Sequence, residues 1–291
     1  MRVLFSTGAV YGVSLRWAMR MAASAGCDGI ELVLDPWSIL AGPDRVLRLS
    51  RRLGVPVAVV HPSLFHSFGM NRLPRAFERL GDWATALGCS LVVVHPPRMR
   101  QLESSTSRFD AGLAALRRVS SGDVQVTVEN VPVFAPEEWA DPYIRPARLA
   151  DFARERGLRL TLDTTHLAST GLPLIREYEG VAGLINHVHL SDYRLPPPLL
   201  DKPQFDTYLK HHQLPGAGQL PLQAFLHRLR AGGYSGAITL ELSPVALQIW
   251  RPSRAIVLLR QAVEYVRSGW VASDEQAQLA LGATASAVGA G

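Results

Sequence analysis

Segments with helical periodicity alternate along the chain with short runs of aliphatic residues, and a glycine commonly stands between the two. The pattern recurs at residues 23–34, 51–61, 86–95, 155–163 and 231–242. Glycine adopts the left-handed conformation that ends many helices. The aliphatic runs show little alternation with polar residues, which is typical of strands buried on both faces of a parallel sheet. The sequence therefore predicts helices and parallel strands in alternation.

Three further strand candidates, at residues 2–8, 123–130 and 184–192, bring the number of predicted strands to eight. Helical patterns separate the strands, most clearly at residues 14–25, 43–53, 70–87, 108–119, 145–156, 220–232 and 252–268, and more weakly at 172–180. Eight alternating units predict an α/β fold, a single (β/α)8 TIM barrel over residues 1–270. A doubly wound open sheet is the structural alternative.

Two segments do not follow the alternation. Residues 193–219 form a proline-rich insertion after the seventh predicted strand, and long loops of this kind are usually functional or disordered. Residues 271–291 are small, weakly polar and end in glycine, so we expect a flexible C-terminal tail.

Composition excludes several classes of protein. Hydrophobic residues make up 47% of the chain and charged residues 19%, enough to form a sizeable interior. No apolar run approaches the roughly 18 residues of a membrane span, and the N-terminus lacks the apolar region of a secretory signal. We therefore expect a soluble, cytoplasmic protein. Cys27 and Cys89 each precede a strand-like run and are interpreted as small core residues.

The net charge of +5 would favour a nucleic-acid partner if the basic residues were clustered. Only Lys202 and Lys210 of the 30 basic residues are lysines, and the arginines are spread along the helical segments. A nucleic-acid partner is therefore not expected from charge alone.

The ends of the predicted strands carry most of the candidate chemistry. In a TIM barrel the active site lies at the C-terminal ends of the strands. Seven of the eight strand candidates end at or near a carboxylate or an imidazole, namely Glu31, His61, His95, Glu129, Asp163, His189 and Glu241. Burying so many ionisable groups at one barrel mouth is costly unless their charge is compensated. A divalent cation is the natural compensator.

The remaining histidines refine this expectation. His166 follows Asp163 in a D-x-x-H pattern and should reach the barrel mouth. His212 precedes the PGAG sequence at 215–218, which is interpreted as a tight turn rather than a phosphate cradle. His187 should lie deeper in the barrel as a packing residue. Three others are expected on the surface or in loops: His66, His211 and His227.

Five short motifs occur together in one order: VEN (128–130), LDTTH (162–166), HVHLSD (187–192), HHQLPGAG (211–218) and TLEL (239–242). With them the chain resembles the xylose-isomerase-like TIM barrel superfamily over residues 2–268. That superfamily includes sugar phosphate isomerases and epimerases, hydroxypyruvate isomerases, ketose 3-epimerases and the apurinic endonuclease IV enzymes.

The resemblance implies one divalent metal ion, Mn, Mg, Co or Zn, held by Glu129, Asp163, His189 and Glu241. It leaves room for a second ion near two further histidines, His61 and His95. The implied activity is that of a sugar or sugar phosphate isomerase or epimerase. A metal would stabilise the enediolate of a ketose or hydroxy-carbonyl substrate, and Glu129 and Glu241 would transfer the proton.

The resemblance also implies substrate contacts. His166 is placed like a histidine that binds substrate oxygens, and Arg194 like an arginine that grips the substrate. The expected substrate-binding set is completed by His61, His95, His212 and Glu31. The expected partner is a small carbohydrate, and the oligomeric state, a homodimer included, stays open.

An endonuclease IV-like zinc phosphodiesterase acting on abasic DNA is the alternative. Counterparts exist for nearly all ligands of its three zinc ions: His61, His95, Glu129, Asp163, His189, Glu241, His166 and His212. Lys210, however, stands where that family has an aspartate ligand, and a protonated amine cannot bind a cation. The DNA-inserting loop residues have no clear match either. A barrel that binds a metabolite without catalysis is a third reading, disfavoured by the intact ligand set.

Overall fold

Eight parallel strands form a closed barrel in which each strand pairs with its neighbour in the chain. The computed structural model describes residues 1–63, 74–97, 102–120, 122–134, 136–196 and 206–271. The strands are β1 (Arg2–Ser6), β2 (Gly29–Val33), β3 (Val57–His61), β4 (Leu91–Val94), β5 (Gln125–Glu129), β6 (Arg159–Asp163), β7 (Ile185–Leu190) and β8 (Ala237–Leu240). Pairing of Val3 with Ile238 closes the barrel. The single (β/α)8 TIM barrel is confirmed, and the open sheet is excluded.

The helices surround the barrel. In the described part of the chain they are α1 (Leu15–Ala25), α2 (Pro36–Ala41), α3 (Pro43–Leu53), α4 (Arg75–Leu87), α5 (Leu102–Val119), α6 (Pro146–Glu155), α7 (Thr164–Ser169), α8 (Leu174–Val181), α9 (Asp206–Leu209), α10 (Leu222–Ala231) and α11 (Pro252–Val271). Each helical pattern of the sequence, including the weak one, corresponds to a helix. The short helices α2, α7 and α9 were not expected. No helix within the described residues is long and apolar enough to cross a membrane.

Several of the described helices end at a glycine, as the sequence pattern predicts. Gly26, Gly54 and Gly88 follow α1, α3 and α4 with φ angles of 82°, 66° and 68°. Their backbone N–H groups bond back to carbonyl groups of the last helical turn. A side chain at such a position costs roughly 1 kcal/mol or more. These glycines direct the chain from each helix into the following strand.

Two sets of buried side chains pack the interior of the barrel. Six apolar side chains fill the lower part: Leu4, Ala58, Val59, Leu91, Val93 and Ala237. A buried polar layer lies in the same interior and includes Thr127 and Thr161, whose hydroxyl oxygens are 2.7 Å apart. The larger apolar cluster packs the helices against the outside of the strands. This packing fills the barrel beneath the strand ends, where most of the candidate site residues lie.

The two cysteines are free thiols. Cys89 is buried, as predicted, and its thiol donates to the carbonyl oxygen of Val57 at 3.1 Å. Cys27 is half-buried and packs against the core. Burial raises the pKa of each thiol to about 12, so both are unreactive at neutral pH.

The PGAG sequence folds around a buried carboxylate. Asp192 accepts hydrogen bonds of 2.8 to 3.0 Å from four backbone N–H groups, those of Tyr193, Gly216, Gly218 and Leu220. The tight turn predicted from the sequence is therefore present. Its N–H groups already donate to Asp192, so the segment does not serve as a phosphate cradle. A backbone bridge between Asp192 and Gln213 fixes the adjacent His212 at the barrel mouth.

We expect Asp192→Asn to lower the free energy of unfolding by about 2 to 4 kcal/mol. An amide has one carbonyl oxygen, so at least one N–H pair would face an NH2 group instead of an acceptor. Urea denaturation measures the change. Asp151→Asn is the matched control, because Asp151 lies on an exposed helix face and its one ion pair among the described residues is with Arg154; its effect should stay within about 0.5 kcal/mol. An equal, small effect of both variants would contradict this account.

Candidate active site

Four side chains from consecutive strands meet at the barrel mouth. Glu129 and Asp163 are the last residues of β5 and β6, His189 lies near the end of β7, and Glu241 directly follows β8. Each of the four offers one ligand-type atom, and these four atoms lie within 4.8 Å of one another. Nδ1 of His189 is 2.9 Å from Oε1 of Glu129, 2.7 Å from Oε2 of Glu241 and 3.9 Å from Oδ2 of Asp163. We call this group the acidic cluster.

The hydrogen bonding of the acidic cluster is incomplete. Oδ2 of Asp163 is buried and has no hydrogen-bond partner among the residues that the structure describes, and the 2.7 Å approach of the buried Oε2 of Glu241 to Nδ1 of His189 lacks hydrogen-bond geometry. Nδ1 of His189 can carry one proton, which cannot serve three carboxylates. Carboxylate oxygens with one imidazole nitrogen are donors that suit Mn, Mg, Co or Zn. The residues present therefore fit a divalent cation.

Electrostatics lead to the same conclusion. Burial alone would raise the pKa of Glu129, but His189, with hydrogen bonds from His61 and His95, holds it well below its usual value. Burial likewise opposes ionisation of Glu241, and His189 nevertheless lowers the pKa of Glu241 to about 2. Burial disfavours the charged form of His189, yet the carboxylates of Glu31, Glu129 and Glu241 keep its pKa well above its usual value. The cluster thus needs a positive charge among its carboxylates.

Asn130 and Asp163 hold the ends of β5 and β6 together. The side-chain oxygen of Asn130 accepts from the N–H of Asp163 at 2.7 Å, and its amide donates to the carbonyl oxygen of Asp163 at 3.1 Å. Oδ1 of Asp163 caps α7 by accepting from the N–H groups of Thr165 and His166. Oδ2 is thereby left to face the acidic cluster. Asn130 is not among the site residues expected from the sequence, although a polar residue beside a strand-ending glutamate is a usable signal.

His61 and His95 lie beside Glu129. Their Nε2 atoms are 3.3 Å and 3.1 Å from Oε2 of Glu129. The three residues form a second group whose spacing could hold a cation. His61 is fixed by its Nδ1, 2.8 Å from the carbonyl oxygen of Pro62.

His166 and His212 lie next to each other at the mouth, with ring centroids 5.5 Å apart. Nδ1 of His166 donates to the carbonyl oxygen of Asn130 at 2.9 Å. His212 adopts a left-handed backbone conformation with a φ angle of 55°, and its Nδ1 lies 3.3 Å from the hydroxyl oxygen of Ser191. The structure thus brings both histidines to the acidic cluster.

Glu31 does not lie where the sequence analysis placed it. It was expected at the rim in contact with substrate, but β2 continues two residues beyond it, to Val33. Its side chain is fully buried, is not among the residues that line the cavity, and contacts His187 and His189. The carboxylate therefore belongs to the barrel interior beneath the acidic cluster.

Arg194 is likewise not brought to the site. It is exposed, and it is absent from the described residues lining the cavity. His211 lies in a loop, as expected, but is 2% exposed and packs between Phe134 and Tyr193. Burial lowers the pKa of His211 to about 2. His227 is half-buried on α10, and His66 lies outside the described residues.

A cavity of about 500 Å³ opens above the acidic cluster. Its ionisable lining residues include Glu129, His61, His95, His166, His212 and Glu241. Segments that follow the paired strands β1 and β8 supply a largely apolar wall, in which Ala9, Val10, Tyr11, Leu242, Pro244 and Ile249 take part. The cavity thus combines a polar floor with an apolar side, a common arrangement in small-molecule sites.

The fold and the site define a TIM barrel with a candidate metal centre at the C-terminal ends of its strands. A family model described as xylose isomerase-like TIM barrel matches residues 19–267, and the chain belongs to this family. An uncharacterised protein of Mycobacterium leprae is 28% identical over 92% of this chain and 97% of its own length. A 2-epi-5-epi-valiolone 7-phosphate 2-epimerase of an Actinoplanes species is 28% identical over 60% of this chain and 67% of its own.

Solved structures with the same fold include sugar epimerases. A 3-keto-D-glucoside 4-epimerase from E. coli has a TM-score of 0.66 at 17% identity, covering 92% of this chain and 99% of its own. An IolI protein with a bound zinc atom has a TM-score of 0.68 at 17% identity, covering 94% and 100%. An AP endonuclease of family 2 from Brucella melitensis has a TM-score of 0.62 at 17% identity, covering 84% and 93%.

Proposed function

We propose that the protein is a divalent-metal-dependent epimerase or isomerase acting on a ketose or a related hydroxy-carbonyl compound. One observation carries the proposal: Glu129 and Glu241 both line the cavity and both approach Nδ1 of His189, at 2.9 Å and 2.7 Å. Two carboxylates that share one cation site can also face one substrate. The sugar epimerases among the structures of this fold, and the related valiolone phosphate epimerase, support this reaction class.

Glu129, Asp163, His189 and Glu241 are the residues that would hold the cation. A bound divalent ion would act as a Lewis acid that makes the α C–H of a hydroxy-carbonyl compound more acidic and stabilises the enediolate formed when the proton leaves. One glutamate removes the proton from carbon, and the same or the other glutamate returns a proton to the opposite face or to the neighbouring carbon. Atoms and charge balance, so no co-reactant is required.

The histidines of the cavity would orient the substrate. His166 is fixed by its bond to Asn130 and is available at the other ring nitrogen to a substrate oxygen. His61, His95 and His212 line the same polar floor. The apolar wall after β1 and β8 suits the carbon-bound hydrogens of the substrate. A small carbohydrate is thus the proposed partner, in the cytoplasm. Arg194 is not among the described residues that line the cavity, and it remains a candidate for substrate binding.

The alternative function, an endonuclease IV-like phosphodiesterase, would use the second group of metal donors, formed by His61, His95 and Glu129. A nuclease of that type would need a third metal position, and Lys210 stands in the sequence where an aspartate ligand would be required. We therefore propose at most two bound ions per chain, with the acidic cluster as the tighter site.

Metal content together with two substrate classes tests this proposal. We expect one or two equivalents of divalent metal per chain, interconversion of a ketose or hydroxy-ketone with its epimer followed by NMR, and loss of that activity on chelation. Abasic duplex DNA should remain uncut, and any binding to DNA should weaken steeply with salt, as contacts to phosphates alone do. Three tightly held zinc ions with cleavage of abasic DNA would establish the endonuclease instead.

A further inference from the structure

Beneath the acidic cluster, a second carboxylate group joins three strands. Glu31 from β2, His187 and His189 from β7, and Thr239 from β8 are all fully buried. Oε2 of Glu31 lies 2.8 Å from Nε2 of His187, 3.1 Å from Nε2 of His189 and 2.9 Å from the hydroxyl oxygen of Thr239. Oε1 lies 3.0 Å from the same Nε2 of His189.

The two sides of the His189 ring face different carboxylates. Nε2 faces Glu31 and lies within hydrogen-bond distance of both its oxygens. Nδ1 faces Glu129 and Glu241 in the acidic cluster. An ionised carboxylate only accepts hydrogen bonds, so Glu31 favours a proton on Nε2. A neutral imidazole that carries its proton on Nε2 has its lone pair on Nδ1.

We propose that Glu31 is a positioning residue that fixes the proton of His189 on Nε2 and thereby presents Nδ1 to the divalent cation. His187 and Thr239 hold the carboxylate in place through Oε2. The inference rests on the metal centre of the proposed function. It gives new roles to two residues: Glu31 was expected from the sequence to contact substrate, and His187 was expected to be a packing residue.

The alternative is that Glu31 only balances the charge of two buried histidines. The two accounts differ in what a neutral side chain of the same shape would do. In Glu31→Gln, an NH2 group replaces one carboxylate oxygen. This group donates hydrogen bonds, so it favours a ring nitrogen without a proton at Nε2 of His187 or His189. A positioning role then predicts a poorer metal ligand, because the tautomer with the proton on Nδ1 becomes accessible.

Cobalt titration of the full chain, followed by visible absorption and by competition with a chelator, tests the proposal. We expect Glu31→Gln to weaken Co²⁺ binding about 10- to 100-fold, the range found when the hydrogen-bond partner of a ligating histidine is lost, and to alter the absorption spectrum of the ion. Thr239→Val, which removes one hydrogen bond to Glu31, should have a smaller effect in the same direction. Thr161→Val is the matched control, because Thr161 is also a fully buried threonine of the barrel interior but bonds Thr127.

A folded Glu31→Gln variant with wild-type cobalt affinity and spectrum would overturn the inference while leaving the proposed function intact. If the wild type binds no cobalt or zinc, the metal centre itself is refuted. Should Glu31→Gln not fold, ¹⁵N NMR of the histidine side chains in the zinc-loaded wild type decides instead. Protonated Nε2 with zinc on Nδ1 of His189 supports the proposal, and zinc on Nε2 contradicts it.

Discussion

The double variant Glu129→Gln, Glu241→Gln is expected to retain only a small fraction of the metal bound by the wild type and to lose turnover by about 1,000-fold or more. Each substitution removes one negative charge from the acidic cluster and replaces a carboxylate by a weakly coordinating amide. Asp163 and His189 would remain, a donor pair too small and too weakly charged to hold a divalent ion tightly. Loss of both proton carriers adds to the effect on turnover.

Metal equivalents per chain, measured by elemental analysis after gel filtration, check this expectation. Circular dichroism and the melting temperature establish that the variant is folded. Glu155→Gln is the matched control, because Glu155 is exposed and pairs only with Arg156 in the described structure; it should keep metal and activity. Unchanged metal content in the double variant would refute the assignment of the acidic cluster as the metal centre.

The barrel could be predicted because its signals are local. A glycine such as Gly26, Gly54 or Gly88 marks the end of a helix whatever lies around it, and each following strand is an uninterrupted aliphatic run. Eight repetitions then leave few alternatives to a closed barrel. The helical pattern at 172–180 was weak because α8 is only eight residues long, and its buried face is correspondingly short.

The acidic cluster could also be predicted, since a residue at the end of a parallel strand has a fixed place at the barrel mouth. Glu31 shows the limit of that reasoning. The sequence around it reads GIELVL, and the aliphatic residues after it already indicate that β2 continues. The side chain of Glu31 therefore lies inside the barrel, below the strand ends that form the mouth. A strict reading of where each aliphatic run stops would have avoided the error.

Loop contacts could not be predicted from the sequence. The carboxylate of Asp192 is surrounded by N–H groups 24 to 28 residues further along the chain, at Gly216, Gly218 and Leu220. His211 is buried by aromatic rings of two separate loops. Neither contact has a periodic or local signal, because each depends on how loops meet after the barrel has formed. The role of Arg194 was implied by the family resemblance, and the place of its side chain likewise depends on how the loop folds.

Solvent isotope exchange is the second prediction with a large effect. When the metal-loaded protein acts on its ketose or hydroxy-ketone substrate in heavy water, deuterium should enter the carbon that receives the returned proton. The reason is that a carboxyl group of Glu129 or Glu241 at the cavity can exchange its proton with solvent between removal and return. Mass spectrometry and NMR of the recovered sugar measure the incorporation. Chelation should abolish exchange and turnover together.

The pH dependence of this exchange follows from the pKa values of the two glutamates. Burial alone would raise both, but His189 holds that of Glu129 well below the usual value and lowers that of Glu241 to about 2. A carboxylate accepts a proton only when ionised, so exchange should fall as the pH falls. An ordinary glutamate has a pKa of about 4.3. Because the pKa values of Glu129 and Glu241 are both lowered, the decline in exchange should begin at a lower pH than that value implies.

Turnover without deuterium incorporation would contradict proton transfer by the glutamates, provided that the glutamates are shown to exchange with solvent under the same conditions. Hydrogen would then move directly between neighbouring carbons as a hydride, and Glu129 and Glu241 would serve as ligands only. The Glu241→Gln variant separates the two cases when metal is supplied in excess. If Glu241 carries the proton, exchange should stay abolished in the variant even when the metal site is saturated. If Glu241 is only a ligand, the excess metal should partly offset its loss.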